Sequence, residues 1–284
     1  MVEPDAIAAS LHAKVAVLLL THVNYRTGAM HDMAAITAAA HAAGALVVWD
    51  LAHSTGAVPV NLHGAGADFA VGCGYKFLNG GPGAPAFVWA HPRHTSRTDL
   101  PWMQPLTGWF GHAAPFAFTP EYRSAPGMAR FLCGTPPVIS MAVLDAALDV
   151  FDAAQSKGGM AALREKSLAL GDLFMELVEQ QCSGLGLGIA TPRQHGQRGS
   201  QVSLTHHDSS EPHSAYAILQ ALIARGVIGD FRAGGVGEPD ILRFGLTPLY
   251  LGFADVWNAV EQLKQVLESG EWREARFARK AAVT

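Results

Sequence analysis

The sequence predicts an α/β fold: a mostly parallel sheet with helices on both faces in residues 1–155, followed by a smaller α+β domain in residues 156–284. Short, continuous apolar runs recur through the first half, as in strands that are buried on both faces. A stretch with apolar residues at helical spacing separates the first two runs, as in sheets with substantial parallel pairing. Polar clusters follow several runs directly, where the functional groups of such folds collect.

The individual elements follow from these patterns in chain order. In the first half, strands are predicted at Val15–Leu20, Ala45–Trp49, Asp68–Gly72 and Ala86–Ala90, with a helix at His31–Ala43. Residues 98–134 are rich in Pro, Gly and aromatic residues without a sustained period, which predicts a long loop region. Farther along, helices are predicted at Val138–Ala154, Gly159–Gln181, Pro212–Arg225 and Phe253–Leu267, and strands at Gln201–Thr205 and Leu242–Leu246.

Composition argues against several classes of protein. Hydrophobic residues make up 49% and charged residues 15%, so the chain can bury a core and is not disordered. The net charge of −4 offers no field for nucleic acid. The densest apolar run, Val15–Leu20, is far shorter than the roughly 20 residues of a membrane helix. Separated cysteines without CxxC spacing and a start without a signal peptide favour a cytoplasmic protein, and the histidines show no metal-ligand spacing.

Two polar residues lie at the ends of successive predicted strands. Asp50 ends the second strand, where a carboxylate needs a cation or several donors, and Lys76 follows the third among glycines and aromatic residues. Desolvation there would lower the pKa of the lysine and make it a nucleophile for a carbonyl. Pyridoxal phosphate (PLP) requires such a lysine and a carboxylate facing its pyridinium nitrogen. The combination indicates a PLP site, although Asp50 alone, or nearby His53, would more often be structural.

Arg243 is a further candidate because it lies inside an apolar strand pattern, Ile-Leu-Arg-Phe-Gly-Leu. A buried guanidinium needs an anion, and its planar fork suits a carboxylate. The anion is either a bound substrate or a structural Asp or Glu; the pattern leaves both open.

Four segments resemble the signature stretches of kynureninase: Thr21-His-Val-Asn-Tyr-Arg-Thr-Gly28, Asp50-Leu-Ala-His-Ser54, Gly74-Tyr-Lys-Phe-Leu-Asn-Gly-Gly-Pro-Gly-Ala-Pro85 and Gly108-Trp-Phe-Gly-His112. The Tyr-Lys loop and the Asp-x-x-His step are typical of all fold-type-I PLP enzymes, whereas the Asn-Gly-Gly-Pro-Gly run and the last segment narrow the resemblance to kynureninase. It extends over nearly the whole chain. It implies the fold-type-I large domain, PLP as cofactor and hydrolysis of L-kynurenine to anthranilate and L-alanine.

The resemblance also implies roles for the cofactor-site residues. Lys76 would bind PLP as a Schiff base and move protons, and Asp50 would pair with the pyridinium nitrogen. His53 would lie against the polar edge of the cofactor. Tyr75 would contact the phosphate and assist proton transfer, and Thr21 resembles another cofactor-site position.

Three further residues have implied roles in substrate binding and assembly. Arg243 resembles the arginine that binds the substrate carboxylate. Trp109 and Thr135 match positions that reach the phosphate or substrate from the neighbouring subunit, which implies a homodimer with a shared active site. Without the resemblance, Trp109 would be assigned to packing and Thr135 to a helix cap. Thr135 is also similar to the residue of bacterial-type enzymes that prefer unhydroxylated kynurenine, and the choice between kynurenine and 3-hydroxykynurenine stays open.

The chain departs from the family in length. Kynureninases are longer, and their N-terminal part, which supplies phosphate-binding groups and a ring stacked on PLP, has no counterpart here. We therefore expect an incomplete PLP-binding domain with an exposed sheet edge, and low activity of the chain by itself. Two alternatives stay open: another fold-type-I PLP enzyme, such as a class-V aminotransferase or a desulfurase with Cys133 as nucleophile, and a truncated homologue without activity.

Overall fold

The first sheet holds the strands predicted in the first half of the chain. A computed structural model describes residues 4–96, 106–208 and 214–279. In it, β1 (Val17–Thr21), β2 (Leu46–Asp50), β3 (Phe69–Cys73) and β4 (Ala86–Ala90) lie side by side in this order. β1, β2 and β3 run parallel, and β4 is antiparallel to β3. The predicted α/β class with substantial parallel pairing is confirmed.

Two helices, α1 (Pro4–Ser10) and α2 (Met33–Ala42), pack with one face of this sheet. α2 begins where the Asp32 carboxylate accepts a hydrogen bond from the Ala35 amide at 3.0 Å, as an N-cap residue does. Trp49 of β2 is fully buried beneath α2, and its indole nitrogen donates to the Thr37 hydroxyl at 3.0 Å. This face of the sheet therefore supplies the hydrophobic core of the first half.

The opposite face of the same sheet is exposed. Alternate strand residues point there because side chains of a strand alternate between the two faces. Leu19 is 65% exposed, and Val17, Val71 and Val88 are also exposed. The exposed apolar face agrees with the expectation of an incomplete first domain.

The second half contains a separate antiparallel sheet. After the short helix α3 (Pro92–Thr95), the helices α4 (Val138–Gln155) and α5 (Gly159–Gln181) lead to β5 (Leu187–Ile189), β6 (Gln201–His206), α6 (Ser214–Ala224), β7 (Asp230–Arg232), β8 (Ile241–Gly245), α7 (Phe253–Ser269) and α8 (Ala275–Ala278). The spatial strand order is β5-β6-β8-β7, and all pairs are antiparallel. Residues of α5, α6 and α7 form the core on this sheet, with the rings of Phe174 and Phe244 4.9 Å apart.

Most predicted elements appear within one or two residues of their expected bounds. The three-residue strands β5 and β7 and the short helices α1, α3 and α8 were not predicted, because they are too short to show a period. Residues 98–105 of the predicted loop and residues 212–213 of the predicted helix Pro212–Arg225 lie outside the described residues. The domain division after residue 155 falls at the end of α4 and stays a prediction.

Backbone contacts join the two halves beside the carboxyl end of β1. The Gly199 amide donates to the Gly28 carbonyl at 2.7 Å, and the Met30 amide donates to the Gln197 carbonyl at 2.8 Å. Gly28 has φ +74°, and a Cβ there would lie 2.7 Å from Cγ of Gln201, so the position requires glycine. The segment after β1 is thereby held against the second sheet.

A buried carboxylate organises the far end of the first sheet. Asp68 is 1% exposed and accepts hydrogen bonds from the Val47 amide at 2.8 Å and the Arg93 guanidinium, with His41 and His94 within 2.8 Å of its carboxylate. These bonds hold the pKa of Asp68 well below its usual range, against the opposing effect of burial. Its negative charge therefore stabilises the fold.

We expect Asp68→Asn to lower the free energy of unfolding by about 2–3 kcal/mol at pH 7. Breaking a buried ion pair costs about 3–5 kcal/mol, and partial exposure of Arg93 and His41 reduces that loss. Because the folded pKa lies below the unfolded value, the stabilisation is present above about pH 4 and declines as pH falls. Urea unfolding at pH 7 and pH 4 measures it. Asp149→Asn, on the exposed surface of α4, is the matched control; equal effects of the two variants would contradict the prediction.

Among the described residues, no helix is both long enough and apolar enough to span a bilayer.

Candidate active site

The carboxyl ends of β1 and β2 bring two predicted site residues together. Thr21 and Asp50 are register partners at the last positions of these strands. One oxygen of the Asp50 carboxylate, Oδ1, accepts a hydrogen bond from the Ala52 amide at 2.8 Å. Within the described part of the chain, no hydrogen bond occupies the other oxygen. Asp50 therefore keeps an acceptor for a protonated group.

Lys76 lies in the loop after β3, close to the turn that follows Asp50. Its ammonium nitrogen Nζ is 3.2 Å from the Tyr75 hydroxyl and 3.5 Å from the Cys73 sulfur. The Cys73 thiol is in turn 3.9 Å from the Ala52 carbonyl. At Gly56, φ is +86° and a Cβ would lie 2.6 Å from the Phe77 carbonyl oxygen, so only glycine allows the turn and the lysine loop to approach this closely.

His53 lies between two cations and is neutral at physiological pH. Burial, followed by the charges of Lys76, Arg243 and Arg232, lowers the pKa of its imidazole to about 3. Its Nε2 atom is 3.5 Å from the Arg243 guanidinium. Since the ring carries no proton on one nitrogen, it is available as a hydrogen-bond acceptor inside the site.

These groups line a cleft of about 790 Å³ between the two halves. The first half contributes Tyr25, His53, Tyr75 and Lys76, and the second contributes Asp230, Arg232 and Arg243. The structure thus brings together four of the residues predicted from sequence: Tyr75, Lys76, His53 and Arg243. Asp50 and Thr21 lie at the strand ends next to the Lys76 loop and are not among the cleft walls.

Trp109 and Thr135 lie away from this cleft. Trp109 is 47% exposed and borders a separate cavity of about 450 Å³ with Phe116 and Phe118, and Thr135 is exposed ahead of α4. Neither reaches the cleft of its own chain. Their predicted contribution from a neighbouring subunit stays a prediction.

The anion beside Arg243 is a structural carboxylate. Asp230 accepts a hydrogen bond from the Arg243 guanidinium, which also donates to the Tyr25 carbonyl at 2.7 Å. Of the two alternatives left open by the sequence, the structural Asp or Glu partner is therefore present. The Arg243 guanidinium nevertheless still borders the cleft. Asp230 and Arg232 were not predicted as site residues because β7 has only three residues. Tyr25 was not predicted either, although it lies within the segment 21–28 that resembles the family.

We expect His22 to make stability depend on pH. Burial, followed by the charges of His31 and Arg164, lowers the pKa of its imidazole to about 4, and its Nδ1 atom is 2.9 Å from the Ser54 hydroxyl. Because the folded pKa is depressed, stability is full above pH 6.5 and is lost as pH falls towards 4. In His22→Gln, the decrease in the free energy of unfolding between pH 7 and pH 5 should be smaller by about 1–2 kcal/mol. Urea unfolding at both pH values tests this, with exposed His12→Gln as control; an unchanged pH dependence in His22→Gln would refute it.

No group of three His, Cys, Asp or Glu side chains suited to a metal ion occurs in the parts of the chain that the structure describes. Cys133, the candidate nucleophile of a desulfurase, is exposed and donates to the Leu106 carbonyl at 3.0 Å, outside the cleft walls. The cleft therefore offers lysine, tyrosine and arginine chemistry.

Solved structures with a similar fold define the class of protein. A C-DES mutant with glycine covalently linked to its PLP cofactor superposes with a TM-score of 0.73 at 20% identity, covering 92% of this chain and 63% of that chain. An apo cysteine desulfurase from Thermococcus onnurineus NA1 superposes with a TM-score of 0.69 at 18% identity, covering 93% of this chain and 63% of that chain. The chain has the fold of the fold-type-I PLP-dependent enzymes.

Sequence comparison then finds relatives that are named kynureninase. The chain is 55% identical to the kynureninase of Burkholderia mallei (strain SAVP1) over 282 residues, and 52% identical to that of Pseudomonas fluorescens over 281 residues. Residues 163–263 match the profile of the kynureninase C-terminal domain. The relatives that the chain matches over nearly its whole length are thus kynureninases. Each match covers 99% of this chain and 63% of the relative, so the chain spans less than two thirds of their length.

Proposed function

We propose that this chain carries the lysine-bearing part of a PLP-dependent kynureninase, which hydrolyses L-kynurenine to anthranilate and L-alanine in tryptophan catabolism. One observation carries the proposal: a chain 55% identical to a kynureninase brings Lys76 and Arg243 to the same cleft. A cytoplasmic location remains a prediction from sequence.

The residues present fit two groups of PLP, its aldehyde and its pyridine nitrogen. Lys76 provides the amine for the aldehyde, and the free oxygen of Asp50 provides an acceptor for the protonated pyridine nitrogen. Thr21 and His53 lie beside Asp50 as further polar contacts, and Tyr75 provides a hydroxyl for the phosphate. PLP, when bound, serves as the sink for the electron pair at Cα of the substrate.

The protein groups would handle binding and proton transfer. Arg243 binds and orients the α-carboxylate of the substrate through charge-assisted hydrogen bonds. Lys76 accepts and returns the proton at Cα, with the Tyr75 hydroxyl 3.2 Å away as its partner. Asp50 keeps the pyridine nitrogen protonated. Neutral His53 accepts hydrogen bonds without adding a third cation between Lys76 and Arg243.

We further propose a homodimer in which Trp109 and Thr135 complete the active site of the partner subunit. Exposed apolar side chains support this assembly: Phe118 is 88% and Ile139 84% exposed, and no residue of the 18-residue helix α4 is buried. An exposed apolar surface of this extent is typical of an interface.

The proposed function is tested in a chimera in which this chain replaces the matching 63% of the Pseudomonas fluorescens relative. We expect the chimera to bind PLP and to release anthranilate, measured by its fluorescence, from L-kynurenine. The 284-residue chain alone, given PLP, should show a lysine-bound absorbance band with weak turnover. A folded chimera that binds no PLP, or that releases alanine from cysteine instead of anthranilate from kynurenine, would refute the proposal.

A further inference from the structure

Two arginines of the cleft share one carboxylate. Asp230 and Arg243 are direct cross-strand partners on β7 and β8, and Arg232 lies two residues along β7 on the same face. Both guanidinium groups donate to the same oxygen, Oδ2 of Asp230, with the Arg232 bond at 2.6 Å. Because the backbone register places Asp230 opposite Arg243, the strand pairing holds this carboxylate beside that arginine.

The arginines retain donors that this carboxylate does not use. Arg243 is 13% exposed and also donates to the Tyr25 carbonyl, which fixes the plane of its guanidinium. Arg232 lies 5.8 Å from the centre of the Tyr25 ring, and its buried Nε atom has no hydrogen-bond partner among the described residues. A buried donor without an acceptor is unfavourable, so Arg232 would bind an anion if the negative charge of Asp230 did not repel it.

The charges of this trio determine which ligand suits it. Arg232 and Arg243 carry two positive charges and Asp230 carries one negative charge, which leaves one net positive charge next to Lys76. One carboxylate neutralises that charge. A second carboxylate would lie against Asp230, and like charges a few ångströms apart in a partly desolvated cleft repel strongly.

We propose that Asp230 is a specificity-determining residue that restricts this cleft to amino acids with a single carboxylate, because its negative charge repels a second carboxylate that Arg232 would otherwise bind. The inference rests on the proposed function because it takes the cleft to be the amino-acid site. Kynurenine, whose side chain carries no carboxylate, belongs to the accepted class, whereas aspartate and glutamate belong to the excluded class.

The test compares L-alanine with L-aspartate, which differ by one carboxylate. Each amino acid is expected to protect Arg243 from modification by phenylglyoxal, and peptide mass spectrometry of the 284-residue chain gives the half-protecting concentration of each. We expect L-alanine to protect at the lower concentration in the native chain. In Asp230→Asn, the aspartate-to-alanine ratio of these concentrations should fall about tenfold.

Two further variants complete the test. Glu238→Gln removes the same charge from an exposed side chain that pairs with Arg26 at 3.5 Å, and it should leave the ratio unchanged. Arg232→Gln added to Asp230→Asn should abolish the gain for aspartate. Any of three results would overturn the proposal. They are a ratio in Asp230→Asn within twofold of the native value, absence of protection by either amino acid, and a gain for aspartate that survives Arg232→Gln.

Labelling of Lys76 by PLP on the same preparations separates this inference from the proposed function. A tenfold shift without any PLP on Lys76 supports the role of Asp230 and contradicts the proposed function. PLP on Lys76 with an unchanged ratio supports the proposed function and overturns the role of Asp230.

Discussion

Substitution of Lys76 by alanine is expected to abolish covalent binding of PLP and to lower kynurenine cleavage in the chimera by roughly 10³-fold or more. The reason is that one amine both holds the cofactor and moves the proton at Cα, and loss of a general acid–base group alone costs about 10²–10⁴-fold. Borohydride reduction followed by peptide mass spectrometry measures the bound cofactor, and anthranilate fluorescence measures turnover. Lys76→Arg should be equally inactive, because it keeps the positive charge but has no nucleophilic amine at neutral pH.

The control for Lys76 is Lys166→Ala. Lys166 donates to the Pro248 carbonyl at 2.7 Å and is not among the cleft walls. Its removal should leave the cofactor on Lys76 and the turnover within about twofold of native, because its hydrogen bond lies outside the cleft. If Lys76→Ala retained kynurenine cleavage and carried borohydride-reduced PLP on another lysine, Lys76 would not be the lysine that binds the cofactor.

Trp49→Ala is expected to lower the free energy of unfolding by about 3–5 kcal/mol, the range for truncating a buried tryptophan. Trp49 is fully buried on β2, its indole nitrogen donates to Thr37, and its ring meets the edge of His22 with centroids 5.9 Å apart. Alanine would leave a large cavity and an unpaired hydroxyl between α2 and the sheet. Urea unfolding followed by far-UV circular dichroism measures the loss.

Two further substitutions serve as controls for Trp49→Ala. Trp257→Ala removes an indole that is 50% exposed on α7, and it should cost less than about 1 kcal/mol. Trp49→Phe keeps an aromatic ring and should cost about 1–2 kcal/mol, mainly through the lost hydrogen bond to Thr37. If Trp49→Ala were no more destabilising than Trp257→Ala, β2 would not form the core of the first half.

Local patterns predicted much of this protein. The apolar runs identified four strands of the first sheet because continuous burial leaves a continuous apolar sequence, and Ala86–Ala90 appears with the predicted bounds. Among the long helices, Gly159–Gln181 also has the predicted bounds. The chemistry of Lys76 and Asp50 was visible because each directly follows such a run. The motifs around them led to the kynureninase family, which the comparisons confirm.

Short elements were beyond prediction from local pattern. β5 and β7 each have three residues, fewer than a periodic pattern needs, so Asp230 and Arg232 carried no signal of their own. The cap of α2 at Asp32 and the positive φ at Gly28 depend on backbone conformations that single residue types only favour.

The sequence by itself determined the fold class, the family and the lysine and carboxylate of the candidate site, since these depend on residues close together in the chain. Only the tertiary structure decided what surrounds Arg243. Its bond to the Tyr25 carbonyl joins residues 218 positions apart, and its pairing with Asp230 follows from the register of two short strands. The neutral state of His53 likewise depends on burial and on three cations from separate segments. Such contacts and charges are properties of packing, and local hydrophobic periodicity carries no information about them.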